Sequence, residues 1–249
     1  MMATIQKELE ALGDAARVAV LQRFFKTGPG EYAAGDRFRG IRVPVLRRLV
    51  RKYQNISLAE TRRLLQSPFH EDRLLALLIM IRHYYREDRA VREKIHHFYL
   101  EHTRFVNNWD LVDASAPHLV GHYLEDHPGD TLTRLAASGD LWERRIAIMA
   151  TFHFIKKNDF GETLRIARLL LGDQEGLIHK AVGWMLREVE KRETNVAEAF
   201  LQSYYRNMPR TMLRYAIERL PEARRQAYLK GTIAAASKGA EPMADRNPL

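Results

Sequence analysis

The sequence predicts an all-α protein arranged as a helical-repeat solenoid, and three observations carry that prediction. Apolar residues recur at three- and four-residue spacing through almost the whole chain, the period of a helix with one buried face. Runs of strict apolar–polar alternation, the mark of a half-buried strand, are rare. Four segments also resemble one another: Glu71-Asp72-Arg73-Leu74-Leu75-Ala76-Leu77, Glu143-Arg144-Arg145-Ile146-Ala147-Ile148-Met149, Ile178-His179-Lys180-Ala181-Val182-Gly183-Trp184 and Met212-Leu213-Arg214-Tyr215-Ala216-Ile217-Glu218. Each sets a basic residue just ahead of an apolar run, at positions 73, 145, 180 and 214. The first interval is twice about 36 residues and the later ones are about 35, so a missing member is expected near position 109. A period of about 35–40 residues holding two helices is that of a HEAT-like or armadillo-type solenoid. The equivalent helix of each pair would line a concave face, and the basic residues would stripe it.

The elements follow in order. A helix or helix pair covers about residues 5–26, with a break at Gly13-Asp14. Thr27-Gly28-Pro29-Gly30 is a turn, and residues 31–43 are irregular. Pro44 suits the first turn of a helix to about residue 53, because its missing N–H has no helical partner there anyway. Ser57, with Glu60 three residues on, is a capping box for a helix to about residue 66. Longer helices are expected over 70–85, 88–102, 108–123 and 129–137. Others follow over 141–156, 159–171, 175–192, 196–206, 209–220 and 221–230. Residues 1–230 thus form a single domain. Residues 231–249 mix Ala, Ser, Gly, Pro and charge without periodicity, and read as a disordered tail.

Composition narrows the function. The formal net charge is +9, which favours polyanionic partners, nucleic acid first and an anionic membrane surface second. A basic residue recurring at the repeat period suits the regular spacing of phosphates along a duplex. The absence of cysteine excludes disulfides, thiolate metal sites and a cysteine nucleophile. The N-terminus is polar and charged, with no apolar signal core, and no stretch approaches the 18 or more apolar residues of a membrane span. A soluble, cytoplasmic protein is expected, nucleoid-associated if bacterial. No phosphate-loop or dinucleotide pattern occurs, so no cofactor is expected. His118 and His122 share a helix face with Asp126 and His127 nearby; a metal site is conceivable there, but a structural role is the preferred reading.

The stretch Asn107-Asn108-Trp109-Asp110-Leu111-Val112-Asp113 falls where the missing repeat member belongs. Asp110 and Asp113 share a helix face at three-residue spacing. An acid near a helix N-terminus is stabilised by unpaired N–H groups, which fits Asp110 better than Asp113. A carboxylate in a groove for a polyanion opposes binding. It therefore calls for a positive charge on the substrate or in the transition state. Arg144 and Arg145 would keep such a carboxylate ionised. Of the three tryptophans, Trp109 and Trp184 suit an aromatic site, and Trp142 reads as core.

The chain resembles the AlkD-like DNA alkylation repair proteins, HEAT-like-repeat DNA glycosylases, from about residue 32 to 228. The resemblance is carried by Phe38-Arg39-Gly40-Ile41-Arg42-Val43-Pro44, Asn108-Trp109-Asp110-Leu111-Val112-Asp113, Leu141-Trp142-Glu143-Arg144-Arg145 and Lys180-Ala181-Val182-Gly183-Trp184-Met185-Leu186-Arg187-Glu188. It implies excision of cationic N3-alkyladenine and N7-alkylguanine from duplex DNA by hydrolysis of the N-glycosidic bond, without drawing the base into a pocket. It also implies Asp113 as the catalytic carboxylate, Trp109 and Trp184 flanking the deoxyribose, and Arg145 on the DNA backbone. Tyr32 is the candidate DNA-contacting aromatic of the N-terminal region. Arg73, Arg144, Lys180, Arg187 and Arg214 complete the expected DNA-binding set, and the enzyme is expected to act as a monomer. Two other classes stay open: a reader of branched or distorted DNA without base release, and a protein-binding solenoid.

Overall fold

Side chains set where the helices begin. Asp14 accepts the Ala16 N–H, Ser57 and Glu60 form the reciprocal capping box, and Asp88 accepts from Val91. Asn108 accepts from Trp109, and Asp140 from Trp142 and Glu143. Each supplies an acceptor to a first-turn N–H that has no partner inside its own helix. In the computed structural model, residues 1–233 are described. They form helices α1 (Met2–Ala11), α2 (Ala15–Phe25), α3 (Val43–Lys52), α4 (Leu58–Leu65), α5 (His70–Arg86) and α6 (Arg89–Glu101). Then come α7 (Trp109–Ala116), α8 (His122–Asp126), α9 (Thr131–Ala136), α10 (Leu141–Ala150) and α11 (Phe152–Ile155). The last are α12 (Gly161–Leu169), α13 (Gly176–Glu190), α14 (Thr194–Tyr204), α15 (Arg210–Ala216) and α16 (Glu222–Lys230). The only β pairing among the described residues is a single bridge between Arg37 and Phe69. Gly231 closes α16 in the left-handed region, and most of the expected tail, residues 234–249, lies outside the described residues.

The helices stack as the repeat predicts. α5 packs on α7, α7 on α10, α10 on α13, and α13 on α15. A second layer covers this row: α4 and α6 lie on α5, α9 on α10, and α12 and α14 on α13. Their shared apolar interior runs along the chain from Ile5 to Ile217. Gly183 lets α13 and α15 approach closely. A Cβ there would sit 2.5 Å from the Met212 carbonyl oxygen and from the Tyr215 Cβ.

Polar side chains tie each repeat to the next. The Tyr84 and Tyr85 hydroxyls meet His122 and His118 at 3.1 and 2.9 Å. Thr103 donates to Glu143 at 2.7 Å, and Arg39 donates to Asp72 at 2.6 Å. These partners lie 33 to 40 residues apart, one repeat in each case. Arg39 belongs to the turn before α3, where Glu71 of α5 accepts the N–H groups of Arg39, Gly40 and Ile41. Gly40 has φ +85, and a Cβ there would lie 2.2 Å from the Asp14 carbonyl oxygen. Only glycine fits that turn.

Two expected helices are interrupted. The one over 108–123 passes at Pro117 into a π turn, Pro117–Gly121, before α8. Proline has no N–H to donate to the preceding turn, and the wider ladder absorbs the gap. The one over 141–156 bends at Thr151, whose hydroxyl donates back to the Ile148 carbonyl at 2.7 Å, a bond that competes with the helical ladder.

Candidate active site

The site is built on the first turn of α7. Asn108 is fully buried, and its side-chain oxygen accepts the Trp109 N–H at 2.8 Å. Asn108 therefore caps the helix, and the capping role expected of Asp110 is corrected. Asp110 instead takes the Leu111 N–H at 2.9 Å and the Nε2–H of His70 at 2.8 Å. His70 had not been singled out. Its Nδ1 faces Asp36 at 3.1 Å, and Asp36 also accepts from Arg73 at 2.6 Å. Burial disfavours the imidazolium, but the two carboxylates outweigh it and push the His70 pKa up to about 9. His70 is thus a buried cation that donates both ring protons. Its ring lies between Phe25 and Phe38, each 4.8 Å away, and Phe25 stacks on Trp109 at 5.4 Å. A packed and charged column fixes Trp109 from below.

Asp113 lies one turn further along α7. Arg145 of α10 grips it bidentately, Nε to Oδ1 at 2.9 Å and Nη2 to Oδ2 at 2.8 Å. A third bond runs from Arg145 Nη1 to the Leu177 carbonyl of α13 at 2.7 Å. One guanidinium therefore joins three successive helices of the inner row. Burial pushes the Asp113 carboxyl above the ordinary carboxylate range. Arg145 draws it back only in part, and the nearby Asp110 adds to the rise. Of the two arginines expected to hold this acid, only Arg145 touches it.

Asp113 and Arg145 face a cavity of about 580 Å³, within the range of small-ligand sites. Trp109, Trp184, Lys180 and Tyr32 line it with them, so six of the expected site residues come together. Trp184 Nε1 donates to Glu188 at 3.3 Å, which orients the indole. Burial raises the Tyr32 hydroxyl pKa, and a bond to Trp109 opposes that rise. Phe24, Lys26, Glu175, Gly176, Leu177 and Tyr215 also line the cavity. Of these, Phe24 had the clearest sequence signal. Ala15-Ala16-Arg17-Val18-Ala19-Val20-Leu21-Gln22-Arg23-Phe24-Phe25 is apolar on more faces than one core contact can cover, and Phe24 is 60% exposed, edge-on to Trp109.

The remaining expected DNA contacts are not brought to the cavity. Arg73 is 4% exposed and held by Asp36 and the Ser67 carbonyl, so it braces the fold and does not meet DNA. It turned inward because Asp36, in the irregular stretch, supplies a buried carboxylate that the repeat pattern did not reveal. Arg144 donates to Asp173 at 2.7 Å and to the Ser138 carbonyl at 3.0 Å. Arg187 pairs with Glu218, and Arg214 is exposed on α15 away from the cavity lining. Trp142 is buried in the core, with Tyr32 edge-on at 6.2 Å. His118 and His122 are engaged by Tyr85 and Tyr84, and burial lowers both their pKa values. Among the described residues, no group of three or more His, Asp or Glu side chains is disposed to hold a metal ion. No helix among them is long and apolar enough to cross a membrane.

Fold and site together define an all-α helical-repeat protein with a carboxylate set between aromatic and cationic walls. A family model described as "DNA alkylation repair enzyme" matches residues 5–220, and the chain belongs to that family. In fold it is similar to a solved structure described as a predicted DNA alkylation repair enzyme from Enterococcus faecalis. The TM-score is 0.65 at 17% identity, over 84% of this chain and 97% of that one. No curated protein sequence matches the chain.

Proposed function

We propose that, within a role in the repair of alkylated DNA, this protein is a monofunctional DNA glycosylase. It hydrolyses the N-glycosidic bond of cationic alkylated purines, N3-alkyladenine and N7-alkylguanine, in duplex DNA. One observation carries the reading: Asp113, locked by a bidentate Arg145, faces a cavity walled by Trp109 and Trp184.

The chemistry follows from charge. An alkylated purine is already a cation, so its departure needs no strong general acid. Both electrons of the C1′–N bond leave with the base, which becomes neutral, and positive charge develops on the sugar. The Asp113 carboxylate stabilises that oxocarbenium character and orients the water that bonds to C1′, as carboxylates do in glycoside hydrolysis. The water's proton passes to Asp113 or to solvent. A cation seated beside Asp113 also favours its ionised form, against the rise that burial imposes. The tryptophan faces contribute cation–π attraction, and Lys180 stands ready for a backbone phosphate.

The test is release of free base from duplex DNA carrying N7-methylguanine. Asp113→Asn is expected to slow release by about 10²–10³-fold, the scale of losing one preorganised electrostatic group, with DNA affinity little changed. Equal loss of release and binding would remove the catalytic role. Salt-sensitive binding to branched DNA, with no base released by the wild type, would support the non-enzymatic reader instead.

A further inference from the structure

The cavity holds a second carboxylate, and it has no partner. Glu175 lines the cavity opposite the Asp113–Arg145 pair. Its side chain makes no hydrogen bond or ion pair among the described residues, although Lys26 and Lys180 line the same space. It occupies the cap position of α13 without capping it. Glutamate is not a favoured residue there; Ser, Asp or Asn would be.

The backbone around Glu175 is held firmly. Asp173 Oδ1 accepts the Glu175 N–H at 2.8 Å. Arg144 donates to the other oxygen of Asp173 at 2.7 Å, and His179 Nε2 meets the Asp173 carbonyl at 2.6 Å. The turn is therefore braced by α10 and by the second turn of α13, and it holds a free acid at the rim. This also gives Arg144 a function that does not require DNA: it fixes the turn that carries Glu175.

A free carboxylate here repels every nucleic acid. In a protein of net charge +9, that repulsion is offset only by a bound group that is positively charged or rich in N–H donors. Asp113 cannot serve that purpose alone, because both of its oxygens are engaged by Arg145. We propose that Glu175 is the specificity-determining residue of this cavity, discriminating cationic bases from neutral ones. The proposal rests on the reading of the cavity as a site for lesions in DNA. It assigns Glu175 to recognition and leaves bond breaking to Asp113.

The experiment measures affinity, so that it stands apart from turnover. The full chain is titrated with two duplexes of one sequence. One carries N7-methylguanine on a 2′-fluoro sugar that resists hydrolysis, and the other carries guanine. The wild type is expected to prefer the cationic duplex. Glu175→Gln is expected to lose about tenfold of that preference, the effect of one charge several ångströms away at intermediate dielectric. Part of the loss should come from tighter binding of the unmodified duplex. Glu175→Ser removes the charge while supplying a better helix cap, and should lose the same preference with α13 intact. Glu175→Asp should retain it. An unchanged ratio in the Gln and Ser variants overturns the proposal, as does a wild type without preference. If the wild type discriminates and the variants do not, yet no base is ever released, Glu175 keeps its role and the glycosylase reading falls.

Discussion

Two arginine–aspartate pairs occupy this molecule at equivalent places in the repeat, and they serve opposite ends. Arg73 and Asp36 are sealed, each with 5% of its side chain exposed. Arg145 and Asp113 are held as tightly, but Asp113 keeps 15% of its side chain open, toward the cavity. Burial works against both carboxylates. At Asp36, His70 and Arg73 overcome it and hold the acid below its ordinary range. At Asp113, Arg145 stands alone and Asp110 repels, so the acid stays above that range. The same two residue types therefore yield a structural clamp in one place and a poised carboxylate in the other. The second cation and the access to solvent make the difference. Perturbed acids that face a cavity are the ones to suspect of chemistry.

The comparison is broken or sharpened most strongly by cutting the sealed pair. Arg73→Met leaves Asp36 with one cation fewer in a buried place, and unfolding in urea should show a loss of about 3–5 kcal/mol. Base release per folded molecule should hold. A fall in release with stability unchanged would mean that Arg73 belongs to the site after all.

The next effect is pH-dependent stability. The His70 pKa is raised in the folded state to about 9. Its contribution is therefore complete below the unfolded value near 6.5 and is lost as pH climbs through about 9. The difference corresponds to about 3 kcal/mol. Denaturant midpoints of wild type and His70→Gln, measured from pH 6 to 10, should converge as pH rises. Parallel curves would show that His70 is not the buried cation described.

A smaller shift is expected in the pH–rate profile. Because the Asp113 carboxyl is raised, release should decline on the acid side at a pH above the ordinary carboxylate range. Arg145→Lys, which keeps the charge but loses the planar fork, should move that limb to still higher pH. A limb that stays in place would detach the profile from Asp113.

Much of this was legible in the chain itself. The repeat of a basic residue before an apolar run located the inner row of helices, and the gap in that repeat pointed to Asn108-Trp109-Asp110-Leu111-Val112-Asp113. The stripe itself was misread, because a repeat pattern reports equivalent positions and not what each side chain meets. Arg73 and Arg144 satisfy the pattern, yet their carboxylates come from Asp36 in an irregular stretch and Asp173 in a turn. His70 was hidden for the same reason. Its two partners lie 34 and 40 residues away in sequence, and no local period records them. Glu175 looked like an ordinary charge at a helix start until the braced turn placed it on the cavity.

The ties between successive repeats bear on how the molecule comes apart. Repeat arrays whose units meet only through apolar faces can fray from either end. Here Tyr84–His122, Thr103–Glu143 and Arg145–Asp113 each span a boundary between neighbours. Opening one unit strands a buried polar group in the next, which raises the cost of partial unfolding relative to complete unfolding. Hydrogen exchange should therefore find α7, α10 and α13 released together as a single cooperative unit, so that the walls of the site persist or vanish as one.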